Sequence, residues 1–185
     1  IIAFATLGFF IVNYPFGYLF VGDAGAYTLG YILAWMLVLL SNRHFALSDW
    51  ALLSTIFWPV SETLLTVFRR KVKSISPGRP DRMHFHQVTM RVWRIISKGK
   101  ISNEVANPLA TATILPFAVL PTIGGVFFCF NGLISALIVL ASFLFFCMSY
   151  YFLIDMVRSP IKRRNITQLF HLLLGCFSTD WKSNL

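Results

Sequence analysis

The sequence predicts an all-α fold: a polytopic helical membrane protein with four full transmembrane helices, one partial N-terminal span, cytoplasmic loops and an amphipathic tail helix. Three observations carry this. Of 185 residues, 57% are hydrophobic and 12% are charged, about half the charged share of an ordinary soluble domain. Mean hydropathy is +0.70. The polar residues are gathered between apolar runs of membrane-spanning length. A net charge of +9 would suit nucleic acid, but the charges sit in the connections between those runs, so no nucleic-acid partner is expected.

Residues 1–12 form an apolar run, half of the roughly 20 residues that a helix needs to cross the hydrocarbon core. The run opens on Ile1 with no basic segment and no small-residue cleavage site, so it is not a signal peptide. We expect the natural chain to begin upstream. A loop follows over 13–26, with Pro15, Gly17, Gly22 and Gly25 as breakers. Residues 26–40 are the first full span. A short polar connection over 42–49 leads to a second span at 50–68, where Pro59 is the expected kink. A long basic stretch fills 69–108. The third and fourth spans, 109–130 and 133–156, are joined by a tight turn at Asn131 and Gly132. The expected domains are a membrane domain over 1–156, with a cytoplasmic catalytic loop at 69–108, and a basic cytoplasmic tail over 157–185.

Orientation follows from the Lys and Arg bias of the loops. The 69–108 stretch carries ten basic residues against Asp81 and Glu104, and the tail adds five more. Both are assigned to the cytoplasm. Two crossings separate the basic stretch from the 13–26 loop, which puts Asp23 on the same face. Residues 88–98 and 166–177 repeat apolar residues at helical spacing opposite basic or polar ones, as helices lying at headgroup level do.

The polar chemistry concentrates in Arg79-Pro80-Asp81-Arg82-Met83-His84-Phe85-His86-Gln87. Arginine forks match phosphate oxygens, and imidazoles donate hydrogen bonds or a proton. Arg79, Arg82, His84 and His86 therefore read as a diphosphate-binding group. A zinc pair is the weaker alternative, because Zn²⁺ needs a third protein ligand. Asp23 either caps the following helix or ligates Mg²⁺, which takes one or two carboxylates and fills its remaining positions with phosphate oxygens and water. Gly22 and Gly25 beside it let a phosphate approach the backbone. The run 69–73 reads first as a lipid-contacting flank. Glu62 either has a function within its span or pairs with Arg69 or Arg70. Cys129, Cys147 and Cys176 show no metal spacing.

Three ordered motifs then resemble one family. They are Phe20-Val21-Gly22-Asp23-Ala24-Gly25 with Leu29-Gly30, Pro59-Val60-Ser61-Glu62-Thr63 with Arg69-Arg70, and the Arg79–Gln87 stretch. Together, over roughly residues 1–155, they resemble the polyprenyl-phosphate sugar-1-phosphate transferases (the WecA/MraY group), in particular the WecA-like branch and its C-terminal half. The resemblance implies a multi-pass enzyme of the bacterial inner (plasma) membrane. Such an enzyme transfers an N-acetylhexosamine-type sugar-1-phosphate from a UDP-sugar to polyprenyl phosphate and releases UMP. It implies Mg²⁺, or Mn²⁺ in its place, with Asp23 as ligand and catalytic residue. Phe20 would stack on uracil, and His84 and His86 would be catalytic near the diphosphate. Arg79, Arg82, Gly22, Gly25 and Gln87 would bind substrate. The implied partners are UDP-sugar, polyprenyl phosphate and the bilayer, with a homodimer as the candidate assembly.

Two departures stand out. Gln87 occupies the place of a second adjacent histidine, and Ala26 that of a serine. The family's paired aspartates do not occur in this chain, and the segment is expected to be inactive alone. A truncated or degenerate non-catalytic relative is the alternative reading, followed by a transporter.

Overall fold

The computed structural model describes residues 1–15, 17–19, 21–72, 74, 83–159, 164 and 168. Among these, seven helices follow in order: α1 (Ile2–Asn13), α2 (Gly22–Arg43), α3 (Asp49–Thr55), α4 (Phe57–Val72), α5 (Phe85–Ile96), α6 (Asn103–Phe127) and α7 (Gly132–Arg158). Three of them, α2, α6 and α7, are long and apolar enough to cross a membrane, and a fourth crossing is reached if α3 and α4 are counted as one broken span.

That break is the main departure from the expected spans. Instead of one helix over 50–68 with a kink at Pro59, α3 and α4 are separate and bent by 83°. Proline lacks the N–H that would bond the carbonyl four residues earlier, and its ring crowds that carbonyl. For Pro59 that residue is Thr55, where α3 stops. Two hydroxyls reinforce the stop: Ser54 Oγ donates to Ala51 O at 2.6 Å and Thr55 Oγ1 to Leu52 O at 2.7 Å. Such back-bonding loosens a helix end. Pro59 itself then sits in the first turn of α4, where its missing donor costs nothing.

Two other boundaries shift. α2 starts at Gly22 rather than near residue 26, so Asp23 and Gly25 lie in a helical turn. α6 starts at Asn103, and Pro108, Pro116 and Pro121 all fall inside it. Asn131 caps α7: its Oδ1 accepts from Ile134 N at 3.0 Å. The amphipathic stretch 166–177 lies outside the described residues, Gln168 excepted.

The chain forms two compact units. The first comprises Ile1–Arg79 with Ile114–Cys147, and the second Pro80–Thr113 with Met148–Leu185. In the first, an aromatic cluster holds the start of α4. Trp58 meets Phe146 at 5.4 Å and Phe117 at 6.3 Å, and Phe57 meets Phe146 edge-on at 6.4 Å. A close crossing of α3 and α6 adds to this. Gly125 lies so near Ser54 that a Cβ there would collide with the Ser54 Oγ, and it would stand 3.0 Å from Ala51 O. Thr122 Oγ1 donates to Ser54 O at 3.3 Å.

In the second unit, α5 buries Phe85, Val88, Thr89, Val92 and Ile96. Val92 and Ile96 pack with Met156, Leu153 and Val157 of α7. The apolar stripe read from 88–98 is therefore occupied by protein, not laid into headgroups. Arg91, Arg94 and Lys98 remain exposed opposite it.

Candidate functional site

The histidine segment is built by the start of α5. The hydrophobic stripe of this helix begins at Phe85, which is 0% exposed. Burying Phe85 turns its neighbours away from the core. His84 becomes the N-cap residue, with extended backbone and no side-chain capping bond. It is half-buried, and His86 is exposed. The two imidazoles stack with ring centroids 5.9 Å apart and planes 11° from parallel. Gln87 completes this turn, and its Oε1 is buried with no hydrogen-bond partner among the described residues.

A helix start offers unpaired N–H groups and the positive end of the helix dipole, both favourable to an anion. Two imidazoles there add hydrogen-bond donors that can also carry protons. The arrangement suits contact with a phosphate group.

Asp23 lies in the first turn of α2, with an exposed side chain. The N-cap position belongs to Val21, which makes no capping bond, so Asp23 is not the N-cap itself. Its negative charge still complements the dipole. Gly22 has φ +67°, a left-handed conformation that favours glycine. Open space surrounds its Cβ position, so backbone conformation rather than crowding is what requires glycine there. Gly25 is half-buried, and an added Cβ would meet Val21 Cγ1 at 2.6 Å.

Among the described residues, no three His, Cys, Asp or Glu side chains gather as a protein-only metal centre. Asp23 presents one exposed, hard carboxylate, the kind of ligand that Mg²⁺ takes in small number while completing its shell with phosphate and water. Asp23, Gly22 and Gly25 belong to the first unit, and His84, His86 and Gln87 to the second. Phe20, Arg79 and Arg82 lie outside the described residues. Glu62 is half-buried in the second turn of α4.

The first unit also contains an apolar groove of about 440 Å³, lined by residues that include Trp50, Phe57, Leu64, Leu137, Leu140 and Phe143.

One participant escaped the sequence reading. Tyr150, on α7, donates its hydroxyl to the Met83 carbonyl at 2.8 Å. A tyrosine pair near the end of an apolar span was the available signal, since a buried phenol needs a hydrogen-bond partner.

An undecaprenyl-phosphate alpha-N-acetylglucosaminyl 1-phosphate transferase of Pasteurella multocida is 30% identical over 152 residues, which cover 79% of this chain and 40% of that protein. The chain is a distant homologue of this WecA-type transferase. Proteins with the same description from Haemophilus influenzae and Escherichia coli K12 are each 33% identical, over 81 and 73 residues. Those matches cover 42% and 39% of this chain, and 23% and 20% of the relatives. The chain thus spans less than half the length of the WecA-type relatives it matches. No family model matches it, and no solved structure matches it significantly.

Proposed function

We propose that the chain forms part of a membrane enzyme moving an N-acetylhexosamine-type sugar-1-phosphate from a UDP-sugar to undecaprenyl phosphate. UMP is released, and a lipid-linked cell-surface polysaccharide is initiated. The observation that carries this reading is the 30% identity over 152 residues to the Pasteurella transferase. The stacked histidines at the start of α5 support it chemically.

In this reading a phosphate oxygen of the lipid acceptor forms a bond to the β-phosphorus of the UDP-sugar. The bond from that phosphorus to the bridging oxygen breaks, and the electron pair leaves with UMP. His84 and His86 donate hydrogen bonds to the diphosphate oxygens, with Arg79 and Arg82 as charged forks. Phe20 stacks on uracil, Gln87 lies beside the histidines, and Gly22 and Gly25 keep the backbone beside Asp23 accessible. Bound Mg²⁺, or Mn²⁺, held through Asp23, supplies charge neutralisation at the diphosphate. The apolar groove in the first unit offers walls suited to a polyprenyl chain.

The reading also requires a topology. α3 and α4 together cross the bacterial inner membrane, so the Asp23 turn and the basic 69–108 stretch share the cytoplasmic face. The membrane domain runs over 1–156, with the basic tail over 157–185. A re-entrant α3–α4 pair would put Asp23 on the opposite face, and cysteine labelling at residue 23 in intact cells distinguishes the two.

The test uses membranes carrying the full-length protein, radiolabelled UDP-N-acetylglucosamine, undecaprenyl phosphate and Mg²⁺. Label moves into extractable lipid. His84→Ala and Asp23→Asn each slow transfer by roughly 10²- to 10⁴-fold while the protein stays folded. If the folded wild type transfers label from no UDP-N-acetylhexosamine, the reading is lost in favour of a non-catalytic relative.

A further inference from the structure

We infer that Tyr150 is a positioning residue for the histidine pair: its hydroxyl holds the peptide that leads into His84, and through it sets where both imidazoles stand. The inference rests on the transferase reading for its functional meaning and on geometry for its substance.

Four observations within the second unit converge. Tyr150 is 1% exposed and donates to Met83 O at 2.8 Å, across 67 residues of sequence. Its ring packs on Phe85, centroids 6.0 Å apart at a tilt of 37°. Phe85 is the residue between the two histidines. Met83 is held from a second direction, its Sδ accepting from Arg91 Nη1 at 3.8 Å.

The physical argument follows from where His84 sits. As the N-cap residue it has extended backbone, with φ −64° and ψ 149°, and no side-chain capping bond. The groups before and after it therefore share in placing it. Before it stands the Met83 carbonyl, held by Tyr150. After it stands Phe85, held by the same ring. One side chain thus restrains both flanks of His84 and one flank of His86. The rest of α5 is tied separately. Trp93 Nε1 donates to Thr113 Oγ1 at 3.0 Å, and Val92 and Ile96 pack on α7. Removing only the Tyr150 hydroxyl should therefore loosen the histidine turn without releasing the helix.

Tyr150→Phe is the deciding variant, because it deletes the hydroxyl and keeps the ring. In the full-length protein, kcat falls roughly tenfold while the KM for UDP-sugar moves little, as expected when a reacting group is misplaced rather than lost. The second readout needs no activity. Diethyl pyrocarbonate acylates accessible imidazoles, and mass spectrometry reports each site. His84 is modified roughly fivefold faster in Tyr150→Phe than in wild type, since a hydrogen bond of ordinary strength no longer opposes opening of the turn. Wild-type labelling and turnover in a folded Tyr150→Phe protein would overturn the inference. So would a loss of activity that merely tracks the folded fraction, with unchanged His84 labelling. If instead His84→Ala and His86→Ala leave transfer intact, the transferase role of the pair fails, and the labelling rates still decide whether Tyr150 orders it.

Discussion

α2 and α5 carry the two halves of the proposed chemistry, and they are held in opposite ways. α2 is 22 residues long and buries none of them. Tyr27, Tyr31 and Trp35 on it are 75%, 70% and 59% exposed. α5 is 12 residues long and buries five, with hydrogen bonds tying it or its entry to α6 and α7. The histidines are thus mounted on a helix packed within its own unit, whereas the carboxylate is mounted on one that buries no side chain against the described residues. The lesson concerns what each residue is asked to do. A hydrogen-bonding imidazole is useful only within a few tenths of an ångström of its target, so its backbone must be restrained. An exposed carboxylate that takes one position on Mg²⁺ leaves most of the octahedral shell to water and phosphate, which find their own places.

The contrast can be broken by mutation. The largest effect belongs to Phe85→Ala. Removing a ring that is 0% exposed costs about 3–5 kcal/mol and disorders the histidine turn, read as a lowered Tm in detergent and faster His84 acylation. A folded variant of wild-type Tm would mean that α5 is not locked through Phe85. Next comes Gly125→Ala, which tests whether tight packing also exists in the first unit. The added methyl collides with the Ser54 Oγ and stands 3.0 Å from Ala51 O, an overpacking cost of about 1–3 kcal/mol that chemical denaturation would reveal. The smallest effect is expected at Tyr31→Ala on the open side of α2, within about 0.5 kcal/mol. A large loss there would show that something covers α2 and that the comparison is wrong.

Much of the helical plan was legible because its signals are local. The spacing of Val88, Val92 and Ile96 marked the stripe of α5, and unbroken apolar runs marked α2, α6 and α7. What the stripe would rest on was not legible. The last turns of α7 mix Ser149, Tyr150, Tyr151 and Asp155 with apolar residues, and the tyrosine pair hints at a buried phenol without showing which carbonyl it meets. The break at Thr55 is hidden in the sequence for a different reason. Pro59 marks a kink near its own position, but proline acts on the carbonyl four residues earlier. The Ser54-Thr55 pair ahead of it makes i−3 back-bonds. The threonines of α6 that bond i−4 carbonyls, such as Thr111, Thr113 and Thr122, leave that helix continuous past its three prolines. Of the candidate site, the histidine turn and Asp23 were named from residue type and spacing. The hydroxyl that holds the turn comes from 67 residues away, and no local pattern encodes it.

The bond from Thr122 to the Ser54 carbonyl carries a consequence for biosynthesis. A chain break inside a membrane leaves carbonyls that lipid cannot satisfy. Here one of them is met by a hydroxyl 68 residues further along. Where α3 and α4 cross the bilayer as one broken span, as proposed above, the turn between them gains this bond only after α6 has been made. Until then the nascent segment is expected to sit as a straighter, provisional span. A stalled nascent chain ending before residue 122 should accordingly show a different glycosylation-distance footprint for residues 49–72 than one ending after α7. Identical footprints would mean that the turn forms without its partner.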